Sequence, residues 1–64
     1  MLVNGNEVKL KKEISLKDFL AADKYPAERI VVELNGKIIK RQKYAETFLQ
    51  DTDKIEIVCF VGGG

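Results

Sequence analysis

I-E-I-V-C-F-V-G-G-G, running from Ile55 to Gly64, is the stretch from which the fold of this chain is read. Seven residues rich in β-branched and aromatic side chains lead into three glycines. Such side chains fit a pleated, half-buried surface, so the first seven predict a strand embedded in a sheet. The glycines have nothing to pack and lose the most conformational entropy when fixed, which predicts a flexible tip at Gly62, Gly63 and Gly64. Three extended residues reach at most about 10 to 11 Å, enough to enter the cleft of another protein. Two readings follow: a carboxylate on Gly64 held out for a partner enzyme to activate, or an inert tail.

Within the strand, Ile55, Ile57, Cys59 and Val61 alternate onto one face and Glu56, Val58 and Phe60 onto the other. Both faces turn apolar towards the glycines, so the strand is expected at the centre of the sheet, with Cys59 as a small buried hydrophobe. If one helix covers only one face, Val58 and Phe60 lie exposed near Leu2, Val31 and Ile38, as a partner interface or beneath a covering loop.

Working outward, the chain contains Asn4-Gly5 and Asn35-Gly36, each between apolar runs. Asn-Gly is the strongest two-residue hairpin signal, because both central positions of a type I′ turn need positive φ. The first turn joins a strand at 1–3 to a return strand at 6–11 and puts Met1, Val3, Val8 and Leu10 on the core face. The second joins 30–34 to 37–40, with Ile30, Val32, Leu34 and Ile39 inward and Val31, Glu33 and Ile38 outward. Lys9, Lys11 and Lys12 read as a charged sheet edge or a basic docking patch, and Lys40, Arg41 and Lys43 as a solvated loop or a contact for an acidic surface.

Ser15 predicts a helix N-cap with Asp18 three residues on, and Leu16, Phe19 and Leu20 form the apolar stripe of a helix ending near Ala22 or Asp23. Pro26 belongs to the loop beyond. Tyr44, Phe48 and Leu49 have helix-like spacing, which predicts a short helical segment over 42–50 plugging one end of the core. Asp51-Thr52-Asp53 reads as a turn, or as paired carboxylates for a metal or acid–base role.

With 64 residues the chain makes one domain, 1–61, plus the 62–64 tail, near the size at which a core suffices without staples. The balance of 11 basic and 10 acidic residues argues against nucleic acid as partner, and no apolar run reaches membrane-spanning length. The single cysteine and the lack of a long apolar leader core point to a cytoplasmic setting. The chain has no histidine, which removes the commonest general base and metal ligand, so self-contained catalysis is not expected.

The order hairpin, helix, hairpin, short helical segment and strand predicts an α+β fold, a mixed sheet of four to five strands packed on one helix, the ubiquitin-like β-grasp arrangement. V-V-E-L-N-G-K-I-I-K-R and A-E-T-F-L-Q-D-T-D-K-I-E-I-V-C-F-V-G-G-G, with the opening V-N-G-N-E, resemble the ThiS family of sulfur carriers in thiamine biosynthesis. The resemblance spans nearly the whole chain and is weakest over 11–28. Tyr44 stands where an aromatic is usual, and Lys40 where a proline often precedes the arginine.

The resemblance implies that Gly64, with Gly63 beside it, is the acyl site. A ThiF-like adenylating enzyme would activate it, a sulfur donor protein would supply the sulfur, and thiazole synthase would receive the thiocarboxylate. Partner contact is expected at Val58, Phe60, Val61 and Gly62. The chain would bind no cofactor or metal itself: it has no Gly-rich loop preceding a helix, so ATP belongs to the partner. The chain would then be a cosubstrate, not an enzyme. Two other readings remain: a carrier for molybdopterin synthesis or tRNA thiolation, which are generally longer proteins, and a β-grasp interaction domain with an inert tail.

Overall fold

Two Asn-Gly turns build the sheet. The structure, a computed structural model, describes residues 1–60. Asn4 and Gly5 have φ of 51° and 84°, and Asn35 and Gly36 have 53° and 87°, the doubly positive pattern of a type I′ turn. The first turn joins β1 (Leu2–Val3) to β2 (Asn6–Glu7), with Val3 opposite Asn6. The return strand is shorter than the predicted 6–11. The Val8 N–H still donates to the Met1 carbonyl at 2.8 Å, and there the pairing runs out.

Met1 and Val3 are buried, and Val8 and Leu10 pack against the core, as the turn register requires. Between the hairpins lie β3 (Ile14–Ser15) and α1 (Leu16–Ala22). Ser15 caps the helix: its Oγ accepts from the Asp18 N–H at 3.1 Å, satisfying one otherwise orphaned donor. Leu16, Phe19 and Leu20 are the buried stripe. A single 3₁₀ turn over Ala27–Arg29 follows Pro26.

The second hairpin pairs β4 (Ile30–Leu34) with β5 (Lys37–Ile39), placing Leu34 opposite Lys37 and Val32 opposite Ile39 as the sequence predicts. The 42–50 segment divides. Residues Arg41–Glu46 form a 3₁₀ helix that buries Tyr44, whereas β6 (Phe48–Leu49) pairs antiparallel with β3. This corrects the predicted helical plug. Apolar neighbours in sequence point to opposite sides of a strand, so Leu49 is fully buried while Phe48 is 52% exposed. Helical spacing would have placed both on one side.

The last element, β7 (Lys54–Cys59), is central. The five-stranded sheet has the order β2-β1-β7-β4-β5, parallel between β1 and β7 and antiparallel elsewhere. The helix lies on one side, over a core that includes Leu16, Val32, Leu49, Ile55 and Ile57. This is a β-grasp sheet. Among the described residues no helix is long and apolar enough to cross a membrane.

Both hairpin asparagines also clasp β7. Asn4 accepts from the Ile57 N–H at 2.7 Å and donates to the Ile57 carbonyl at 3.2 Å, acting as one further rung of the parallel ladder. Asn35 accepts from the Lys54 N–H at 2.9 Å and donates to an Asp53 carboxylate oxygen at 2.9 Å. The strand that leads to the glycines is therefore gripped from both flanks.

Candidate functional site

The site begins where β7 leaves the sheet. Of the residues singled out from sequence, Val58 and Phe60 lie on the face opposite the helix, 59% and 48% exposed. Among the described residues no loop covers them. Val61, Gly62, Gly63 and Gly64 lie outside the described residues, as does the boundary between domain and tail.

The antiparallel register arranges this outer face in rows across the strands. Val58 is directly opposite Val31, and one step back Glu56, Glu33 and Ile38 form a row over β7, β4 and β5. Val31 and Ile38 are 38% and 68% exposed. Phe60 continues the face beyond β7, its N–H donating to the Arg29 carbonyl at 2.9 Å. Val31, Ile38, Val58 and Phe60 thus form an exposed apolar patch on this face.

Leu2 does not belong to that patch. It sits beside Lys54, four residues back along β7 from Val58, which at the strand rise is about 13 Å away. Predicting it among the patch residues required the offset between β1 and β7, and no turn links those two strands.

Cys59 is the second correction. It lies on the predicted face, yet it is an exposed free thiol. The reason is the length of β1: its last ladder partner is Val3 opposite Ile55, and the Asn4 side chain extends the pairing only to Ile57. Past that point β7 has a neighbour on one side only, so a side chain facing inward finds no cover.

The Asp51-Thr52-Asp53 turn is structural. Asp53 accepts from the Gln50 N–H at 2.8 Å and from Asn35, while Asp51 accepts from the Leu10 N–H at 2.9 Å and lies 3.8 Å from the Met1 amine. These carboxylates fasten the edges of the sheet to its centre. No group of three potential metal ligands occurs among the described residues. Burial pushes the Tyr44 phenol above its ordinary 10.0, with Arg41 pulling the other way.

The sequence reading missed the asparagine clasps and the β3–β6 pair. The signal for the first was the recurrence of Asn-Gly, which encodes the turns but not where the amides reach. For the second there was none, since a two-residue ladder carries no periodicity.

What the geometry presents is a central strand whose outer face carries Glu56 and Val58, with Phe60 beyond, followed in sequence by a glycine run. Known proteins share this fold. The ThiS family model matches residues 1–64. The sulfur carrier protein ThiS of Bacillus subtilis is 44% identical over 63 residues, covering 97% of this chain and 96% of that protein. A crystal structure of the thiamine biosynthesis protein ThiS from Geobacter metallireducens superposes with a TM-score of 0.83 at 33% identity, covering 98% of this chain and 96% of that one. The thiazole synthase of Paramagnetospirillum magneticum is 31% identical over all of this chain, which corresponds to 20% of that protein. A match of the family model along the whole length, joined to near-complete mutual coverage and a common fold, places this chain in the ThiS family.

Proposed function

We propose that this protein is a sulfur carrier of thiamine biosynthesis, holding sulfur as a thiocarboxylate on Gly64, with Gly63 beside it, and delivering it to thiazole synthase. The observation that carries this reading is the near-complete alignment with the Bacillus sulfur carrier, together with a family-model match that extends through the glycine run at 62–64. The thiazole synthases that contain a segment resembling this chain support that enzyme as the recipient.

The chemistry explains the division of labour. A carboxylate is a poor electrophile, so a carboxylate oxygen of Gly64 attacks the α-phosphorus of ATP and releases pyrophosphate. The resulting acyl-adenylate has a good leaving group: a sulfur nucleophile adds at the acyl carbon, the carbon–oxygen bond to AMP breaks, and the thiocarboxylate forms. A ThiF-like adenylating enzyme supplies the ATP site and its metal, and a donor protein supplies the sulfur. Residues 62–64 carry no side chain to obstruct a narrow channel. The carrier is a cosubstrate in the cytoplasm. It lacks histidine, the commonest general base.

Incubation with ATP, a sulfur source and the activating enzyme, followed by mass spectrometry, is the test. The expected result is an oxygen-for-sulfur mass increase that disappears when Gly64 is deleted. An unchanged mass with an enzyme competent on another carrier would sink the reading.

A further inference from the structure

The outer face contains an arrangement that folding alone does not favour. Glu33 and Glu56 are directly opposite each other on adjacent strands, at the border of the apolar patch, with Val31 and Val58 on one side and Lys54 on the other. Directly apposed residues of antiparallel strands have Cα atoms about 5 Å apart, and like charges so placed destabilise the pair. Neither carboxylate is in an ion pair among the described residues, and Lys54, which lines the same shallow pocket, leaves the cluster with a net negative charge. The ion pairs among the described residues join Met1 to Asp51 and Lys43 to Glu46, on other parts of the surface.

Around the two acids stand Val31, Val58 and Ile38, with Phe60 beyond, all exposed. A partner that buries those side chains also desolvates the carboxylates, and doing so without a countercharge is costly. The patch is therefore selective: it rejects a purely apolar surface and accepts one that places a guanidinium or ammonium between the two acids. A guanidinium fits best, since its planar fork can bridge two carboxylates.

We propose that the Glu33/Glu56 pair is a specificity element of the docking face, recognising a cationic side chain set among apolar residues on the surface of thiazole synthase. This rests on the carrier reading and adds the chemistry by which the recipient is chosen. The repulsion within the free protein is relieved on docking, so affinity gains both from the new charge contacts and from removal of the apposed charges.

The experiment measures binding of the full chain to the thiazole synthase of the same organism by calorimetry across a salt series. Wild type is compared with the Glu33→Gln/Glu56→Gln double variant. Glu7→Gln, which removes an exposed charge at the far edge of the sheet, controls for net charge. The expected result is binding about tenfold weaker for the double variant, with a flatter salt dependence and a melting temperature equal to or above wild type. Glu7→Gln should bind as wild type does. Unchanged affinity and salt response in the double variant overturns the proposal while leaving the carrier reading intact. An equal loss in Glu7→Gln overturns it in favour of net charge. Failure of the wild type to bind the synthase at all removes both.

Discussion

Asn4 does two things with one side chain. It tolerates the left-handed φ of 51° that the turn requires, and its amide replaces a missing strand residue against Ile57. The two contributions are separable. Asn4→Gly keeps the turn and loses both hydrogen bonds, which should cost about 1 to 2 kcal/mol; Asn4→Ala adds backbone strain of about 1 kcal/mol more. Urea unfolding of the two variants checks this, and a neutral Asn4→Gly would mean the clasp contributes nothing. The turn half of this role is legible in the sequence because it is encoded by two adjacent residues. The clasp is not, since its partner is 53 positions away. Tyr44 makes a second residue-scale prediction. Burial raises its phenol pKa in the folded state, so the unfolded chain gives up that proton first as pH rises. Its contribution is fully present below the unfolded value of about 10 and is lost as pH climbs through the higher folded value. Thermal melts between about pH 9 and 11 should show stability falling in wild type, and falling less in Tyr44→Phe.

At the scale of elements, the β3–β6 pair shows where periodicity stops being informative. Tyr44, Phe48 and Leu49 satisfy a helical spacing, but only Tyr44 lies in a helix, and the other two point to opposite sides of a short strand. The contrast can be measured. Leu49→Ala removes a side chain with no exposed surface and should cost about 2 to 5 kcal/mol, comparable to the whole stability of a domain this small. A collapsed dispersion of amide NMR signals would report that loss. Phe48→Ala, half exposed, should cost less than about 1 kcal/mol and leave the spectrum folded. Equal losses would show that Phe48 contributes to the core after all. The helix itself was legible, from Ser15 at its cap to the Leu16, Phe19 and Leu20 stripe, because capping and a 3.6-residue period are local properties.

For the whole molecule, the consequence of one helix on a five-stranded sheet is that one face is filled and the other left to a partner. Phe60→Asp should then weaken docking to thiazole synthase by about tenfold or more while the circular dichroism melt stays near wild type. Unfolding instead would mean that Phe60 packs in the core. What the sequence by itself determined was largely local: both type I′ turns, the register of each hairpin, the inward and outward sets on β4 and on β7 as far as Ile57, and the glycine run at 62–64. Those follow from alternation along a strand and from residues that accept positive φ. Tertiary structure alone decided how far β1 runs beside β7, and with it the exposure of Cys59 and the separation of Leu2 from the patch. It also decided that Glu33 meets Glu56. These depend on the offset between strands joined by no turn, and that offset is set by burying Ile55, Ile57 and Val32 together under the helix, a choice made by the packed core and written in no short segment.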